Sequence, residues 1–130
     1  KQFQKLGIQL IIRATQYNRF QEKLQTGNMQ IFKYGWHADY PDPENFINQF
    51  SSVHVPENPA DKAFLNFMRY KNPSFDALLS QAREETDIKK RNELLIKCDQ
   101  MVISSESFKW FIFPHYVTHI TLEIIEDLWV

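Results

Sequence analysis

The stretch WHADYPDPENF, which runs from Trp36 to Phe46, holds the residues best suited to chemistry, an aromatic ring at Trp36 and a carboxylate at Asp39. It follows a predicted strand and precedes a predicted helix. In open parallel sheets, ligands bind in the crevice outside the carboxyl ends of the strands. A carboxylate there can receive a cation, and an aromatic wall beside it excludes water and strengthens the pairing. Spacing alone leaves a second interpretation open, in which Asp39 is a turn residue that bonds to its own backbone.

Asp42 has a different predicted role, because Pro43 follows it directly. A capping aspartate oxygen and a proline at the first helical position form a common helix start. Phe46, Ile47 and Phe50 would then bury one face of the short helix that follows. We therefore expect Asp42 to cap this helix rather than to bind a ligand.

The chain before this stretch predicts a strand, a helix and a second strand. Residues 7–14 are rich in β-branched and apolar side chains, which indicates a largely buried strand. Apolar residues then recur at helical spacing until Gly27, a residue that favours a helix C-terminus. Residues 29–36 alternate in polarity and predict another strand. A strand, helix and strand over so short a stretch suggest a parallel βαβ unit with a right-handed crossover.

Two amphipathic helices are predicted in the second half of the chain. The pair Asn72 and Pro73 starts the first, and Asp87 can cap the second. Both carry apolar residues at helical spacing. Cys98, the sole cysteine, falls within the apolar stripe of the second helix, so we expect a packed thiol there rather than a reactive one.

The C-terminal part is rich in aromatic and β-branched residues and predicts two strands, residues 108–113 and 116–125, with a break at Pro114. Together with the helices, these strands predict an α/β fold. A chain of 130 residues is long enough for one domain with its own core, so residues 1–130 are expected to form a single domain.

Charge and composition exclude several classes of function. A formal net charge of −1 argues against nucleic acid as a partner, because such proteins carry basic patches. With 3 glycines, the chain has no glycine-rich loop for the phosphates of a nucleotide cofactor, and we expect no cofactor. No apolar run approaches the length of a membrane span.

An enzyme, specifically a metal hydrolase, is the main alternative to a binding protein. Its ligands would come from the set His37, Asp39, His54, His115 and His119. Residues 115 and 119 are four apart, which brings two ligands together on a helix, whereas on the predicted strand they would lie ~13 Å apart. Because no third ligand stands at a recognisable spacing from residues 37 and 39, we expect neither a metal site nor an enzyme.

Three segments together resemble one known family. Residues 35–46, GWHADYPDPENF, resemble the G-W-x-A-D-Y-x-D-P-x-x-F segment of the family 5 extracellular solute-binding proteins, the dipeptide, oligopeptide and nickel group. Residues 66–79 are similar to its N-x-x-x-Y-x-N-P-x-F-D-x-L-L stretch, and residues 87–101 are a weaker match to its D-x-x-x-R-x-x-L helix. The three matches stand in the family's order and spacing, within a resemblance that extends from about residue 7 to 114.

The resemblance implies roles for single residues. In peptide-binding members, the aspartate at the place of Asp39 pairs with the α-ammonium group of the ligand, and the tryptophan at the place of Trp36 lines the pocket. Lys33 stands where some oligopeptide binders have a basic residue near the carboxyl end of the ligand. Tyr34 and His37 complete the predicted ligand-binding set. Some members have a disulfide-forming cysteine at the position of His37, so the histidine here implies that this bridge is absent.

The resemblance also implies a fold and a function. We expect part of the C-terminal lobe of a two-lobed, type II periplasmic binding protein, which captures oligo- or dipeptides and delivers them to the permease subunits of an ABC importer. The intact protein would be a monomer in the periplasm, or a lipoprotein anchored to the membrane. A nickel chelate, a sugar or a cell-wall peptide as ligand remains open, as does a sensor or interaction module without transport.

Overall fold

The computed structural model of the protein describes residues 3–29, 31–105, 109–115 and 119–125. Single turns of 3-10 helix are formed by Phe3–Leu6, Asn48–Phe50 and Ser52–His54. The helices and strands are α1 (Tyr17–Gln25), β1 (Ile31–Trp36), α2 (Glu44–Ile47), α3 (Pro73–Glu84), α4 (Ile88–Ile103), β2 (Lys109–His115) and β3 (His119–Ile125). Within these ranges, no helix has the length and apolar character needed to cross a bilayer.

The strands form one antiparallel sheet in the order β1-β3-β2. Ile125 of the central strand pairs with Ile31 of β1 on one side and with Lys109 of β2 on the other. The described part of the chain therefore contains helices and strands, but its sheet is not the parallel one that the sequence predicted. The predicted α/β class is supported only loosely.

The predicted βαβ unit is wrong for the described residues, because its first strand does not form. Gly7 lies in a turn, and residues 8–16 have no regular structure. The side chains of Leu10, Ile11 and Ile12 are 42%, 67% and 84% exposed. A strand with consecutive apolar residues must be covered on both faces, and no described element covers these side chains. The sequence pattern indicated that these side chains should be buried but did not indicate which element would cover them.

The predicted break at Pro114 is also wrong, since this residue lies inside β2. Proline lacks an N–H group and is tolerated on an edge strand, and β2 has β3 as its neighbour on one side. His115 and His119 oppose each other in the register of β2 and β3, so the separation of ~13 Å expected along one strand does not hold.

The ends of α1, α3 and α4 follow from local sequence. Gly27 has a φ of +69° just after α1, which confirms the predicted helix end. Asn72 accepts hydrogen bonds from the backbone N–H groups of Ser74 at 3.0 Å and Phe75 at 3.2 Å, and thereby caps α3. The Asp87 carboxylate does the same for the second and third N–H groups of α4. Both predicted caps are confirmed.

The core lies between α3 and α4, which pack against each other and against the segment around α2. Tyr70 and Phe75 meet edge to face in this core, with ring centroids 5.5 Å apart. Apolar side chains from α3 and α4 interlock at helical spacing, as the two stripes predicted. The buried members of the cluster are Ile47, Phe50, Tyr70, Phe75, Leu79, Ala82, Leu95, Cys98 and Val102.

The segment between α2 and α3 is organised by Asn66, whose side chain is 1% exposed. Its Nδ2 lies within hydrogen-bond distance of the carbonyl oxygens of Phe50 (3.3 Å), Ser51 (3.1 Å) and Tyr70 (2.8 Å), and because it has two hydrogens, two of these oxygens share one. Its Oδ1 accepts the backbone N–H of Tyr70 at 2.8 Å. Asn66 also has a φ of +44°, in the left-handed region that asparagine tolerates better than most residues. One amide therefore satisfies four backbone groups in a segment without regular structure.

Cys98 is fully buried on α4, as predicted, and this burial should suppress its reactivity. Burial raises the pKa of the Cys98 thiol to about 11 from an ordinary value of 9.0, with a further contribution from Asp99. Because the thiolate is the nucleophile, its population at mildly alkaline pH falls about a hundredfold. We expect a disulfide dye to label the folded protein at least that much more slowly than the protein in concentrated urea. Equal rates in the two conditions would show that the thiol is accessible.

Candidate functional site

The predicted site lies where β1 ends and the chain turns towards α2. Trp36 is the last residue of β1 and is half-buried, whereas His37 and Asp39 are exposed in the loop that follows. The loop ends at Asp42, whose Oδ1 accepts the backbone N–H of Glu44 at 2.8 Å. The predicted helix forms, but it begins at Glu44 with Pro43 as its N-cap, one residue later than the predicted cap at Asp42. A strand end and a helix start thus fix both ends of the loop.

Asn45, a buried residue of α2, connects the two principal site residues. Its Oδ1 accepts the indole N–H of Trp36 at 2.7 Å and the backbone N–H of Asp39 at 3.4 Å. Its Nδ2 lies 3.5 Å from Oδ2 of Asp39, at the outer limit of a hydrogen bond. The aromatic ring and the carboxylate that the sequence singled out therefore lie together around one side-chain amide.

Tyr34 extends the aromatic surface on β1. Its ring lies 6.4 Å from that of Trp36, at an interplanar angle of 41°. It also packs edge to face against Phe67, with centroids 5.1 Å apart. Burial, and to a lesser degree the charge of Tyr17, raises the pKa of the Tyr34 phenol above its ordinary value. A tyrosine hydroxyl is protonated at neutral pH even without this shift, so Tyr34 can donate a hydrogen bond.

The other two predicted site residues are placed less fully. Lys33 lies in β1, opposite Glu123 of β3 in the register; its expected contact with a ligand carboxyl group depends on a side chain outside the described part. His37 is exposed directly after β1. The structure thus brings Trp36, Asp39 and Tyr34 into one neighbourhood and leaves the roles of residues 33 and 37 as predictions.

An ionic cluster joins α2 to both long helices. Nη2 of Arg91 on α4 lies 3.0 Å from Oδ1 of Asp42 and 3.4 Å from Oε2 of Glu44. Arg83 on α3 reaches α2 from another side, through Nε at 2.7 Å from Oε1 of Glu44 and Nη2 at 2.7 Å from Oδ1 of Asn48. Such partly exposed pairs are individually weak, but a network of charge-assisted bonds fixes geometry.

The bond from Arg91 makes a contribution to stability that should depend on pH. It is the main reason that the pKa of Asp42 is lowered from its ordinary value. A carboxyl group whose pKa is lower in the folded state than in the unfolded state stabilises the folded protein at pH values above the unfolded-state pKa. This stability is lost as the pH falls through the folded-state pKa. We expect Arg91→Met to cost about 1 kcal/mol at neutral pH, because the pairs are partly exposed.

The pH dependence separates this effect from a loss of packing. In urea unfolding followed by circular dichroism, the difference between the Arg91→Met variant and the unsubstituted protein should shrink as the solution is acidified and Asp42 takes up its proton. A difference that stayed constant across this range would show that Arg91 acts through its aliphatic stem instead.

The described part of the chain contains no set of three or more His, Cys, Asp or Glu side chains arranged to hold a metal ion. An open cleft of about 500 Å³ lies between the end of α3 and the start of α4 and includes none of the five predicted site residues. It is lined by Gln81, Glu84, Glu85, Lys90, Glu93, Leu94 and Lys97.

Sequence reasoning missed two contributors to the site, Asn45 and Arg91. Asn45 stands at an unspecified position of the first family segment, and its hydrogen bonds reach residues six and nine positions earlier, which no local periodicity reveals. Arg91 did match the third segment but was interpreted only as part of a helix. The burial of Asn45, which obliges its amide to find partners, is visible only in the structure.

Comparison with known proteins identifies relatives among binding proteins. The oligopeptide-binding protein OppA of Bacillus subtilis is 33% identical over 98 residues, which cover 75% of this chain and 16% of the relative. Di/tripeptide-binding protein 4 of Pseudomonas aeruginosa is 29% identical over 106 residues, or 82% of this chain and 19% of the relative. The probable deoxycholate-binding periplasmic protein YgiS of Escherichia coli is 28% identical over 97 residues, covering 75% and 16%.

The class of these relatives is that of binding proteins, since each is named as one. More narrowly, the chain is similar to family 5 extracellular solute-binding proteins, and the resemblance found in its three sequence segments is confirmed. It spans less than a fifth of the length of the relatives described. No family model matches the chain, and no solved structure matches it significantly.

Proposed function

We propose that this chain is part of the substrate-binding component of an ABC importer, which captures oligo- or dipeptides and delivers them to the membrane permease subunits. The intact protein would be a two-lobed, type II binding protein of the periplasm, or a lipoprotein outside the cytoplasmic membrane, and would act without enzymatic activity. Residues 1–130 would belong to its C-terminal lobe. The names of the peptide-binding relatives support this proposal.

The observation that carries the proposal is the placement of the Asp39 carboxylate. It is exposed to solvent beside the half-buried ring of Trp36, and a buried amide holds both residues. A peptide has an α-ammonium group whatever its side chains are. Removing one partner of a buried ion pair costs roughly 3–5 kcal/mol. Anchoring the ammonium on Asp39 would therefore disfavour ligands that lack this group while tolerating many peptide side chains.

Native mass spectrometry of the intact protein, purified without added ligand, tests this function. The proposal predicts co-purified short peptides that are lost when Asp39 is changed to alanine. Loss of the peptides in Asp39→Ala but not in Asp61→Ala, a change at another exposed loop carboxylate, would support the role of Asp39. A preparation without peptides that also fails to bind added ones would refute the proposal.

A ligand without an amino group is the second candidate, favoured by the likeness to a probable deoxycholate-binding protein. Deoxycholate carries a carboxylate and an apolar ring system, so it would use the aromatic surface of Tyr34 and Trp36 rather than Asp39. The same spectra would reveal such a molecule by its mass. They would also identify a sugar, a nickel chelate or a cell-wall peptide by its mass. A sensor or interaction module without transport would differ from an importer component in its protein partners, not in the mass of its ligand.

A further inference from the structure

Asn45 is buried at 6% exposure, yet its amide contacts both residues that the proposed function uses. We propose that Asn45 is a positioning residue, which holds the Trp36 indole and the Asp39 carboxylate in the relative orientation that receives the ammonium group of a ligand. This inference rests on the proposed function and deepens it. Asn45 itself need not touch the ligand.

The hydrogen bonds determine which way the amide of Asn45 faces. The indole N–H of Trp36 and the backbone N–H of Asp39 are both donors, so the group that they approach must be the oxygen, Oδ1. These two bonds use both lone pairs of that oxygen. The amino group is thereby turned towards Oδ2 of Asp39, 3.5 Å away. The contact at Trp36 thus fixes the donor offered to the carboxylate.

The same arrangement leaves binding capacity on the carboxylate. The contact from Asn45 is long and reaches one of the two carboxylate oxygens. No other side chain within the described ranges donates to Asp39, which is exposed, so its carboxylate can still receive a cation. A carboxylate on an exposed loop would otherwise lose rotamer freedom when it binds. Holding it in advance reduces this entropic cost of binding.

The position of Asn45 is itself secured from several directions. Its backbone N–H donates to the carbonyl oxygen of Asp42 at 3.1 Å, within the first turn of α2. The neighbouring residue Glu44 is held by Arg83 and Arg91 from the two long helices. A side chain on so well-anchored an element can orient a loop, whereas a side chain on the loop cannot orient itself.

The test is ligand affinity of the intact protein, measured by calorimetry with trialanine. Asn45→Ala is expected to weaken binding about tenfold. In the Asp39→Asn background the same change should have about a twofold effect or less, because the charge to be positioned is already gone. Asn45→Leu, which keeps the number and branching of the side-chain heavy atoms, should repeat the loss without leaving a cavity. Asn92→Ala, a change at an exposed asparagine of α4, serves as the matched control.

A spectroscopic readout separates positioning from a general loss of structure. The indole N–H resonance of Trp36, assigned with a Trp36→Phe variant, should move upfield in both Asn45 variants because its hydrogen-bond acceptor is lost. It should stay in place in Asn92→Ala. The other amide resonances away from the loop should remain unchanged, which shows that the fold is kept.

The outcomes distinguish the two proposals. Tight binding of trialanine by the unsubstituted protein, with unchanged affinity in Asn45→Leu, would overturn the positioning role and leave peptide capture intact. An equal loss on the two Asp39 backgrounds would also overturn it, since the effect would then not pass through the carboxylate. No binding of peptides by the unsubstituted protein would overturn the proposed function, and this inference with it.

Discussion

The change Asp39→Asn is expected to weaken peptide binding by the intact protein about tenfold or more. The substitution preserves shape, and the new side chain still offers an oxygen to Asn45, but it removes the charge that would pair with the ligand ammonium. Tenfold corresponds to about 1.4 kcal/mol, well below the roughly 3–5 kcal/mol that breaking a buried pair costs. Calorimetry with a short peptide measures the effect directly.

Blocking the ligand provides the matching experiment. An N-acetylated peptide lacks the ammonium charge that would pair with Asp39, so it should bind the unsubstituted protein weakly. The Asp39→Asn variant should bind this acetylated peptide with about the same weak affinity, because the pair is already lost. Asp61→Asn, at another exposed loop aspartate, should leave both affinities unchanged. Undiminished affinity of Asp39→Asn for the free-amine peptide would show that the ammonium is held elsewhere.

The change Asn66→Ala is expected to destabilise the fold by about 3 kcal/mol or more, the largest effect on stability predicted here. It would remove the amide that satisfies three carbonyl oxygens and one N–H group in a buried setting. A buried polar group left without a partner costs roughly 1–3 kcal/mol. Alanine must also adopt the positive φ of this position, which adds strain.

Urea unfolding followed by circular dichroism measures this loss. Asn66→Gly relieves the strain but not the missing bonds, so it should recover only a minor part of the stability. Asn92→Ala, on the exposed face of α4, should change the midpoint little. A cost for Asn66→Ala below about 1 kcal/mol would mean that water replaces the amide, and the organising role assigned to Asn66 would be wrong.

Local features of the fold were predictable and long-range ones were not. The caps at Asn72 and Asp87 and the end of α1 at Gly27 depend on a few adjacent residues, and they are confirmed. Strand pairing depends on partners far along the chain. An apolar run at residues 8–12 indicates that its side chains should be buried, but it does not indicate which element would cover them. The predicted parallel sheet was wrong because this run forms no strand and the sheet pairs β1 with β3 instead.

The candidate site divides in the same way. Residue type and order pointed to Trp36 and Asp39, because an aromatic and a carboxylate after a strand have a recognisable chemistry. Their connection through Asn45 was not visible, since its hydrogen bonds join a helix to a strand end nine residues away. The ionic partners of α2 are more remote still, with Arg91 forty-nine residues from Asp42.

The bracing of α2 by Arg83 and Arg91 has a mechanical consequence. The loop that carries Asp39 leads directly into α2, which ion pairs connect to α3 and α4. We therefore expect this end of the loop to move with the helices rather than to act as a hinge. Any motion that closed a cleft over this loop would carry the loop and the helical pair as one body. Capture of a ligand would then cost little ordering on this side, and the flexibility needed for opening would have to lie elsewhere.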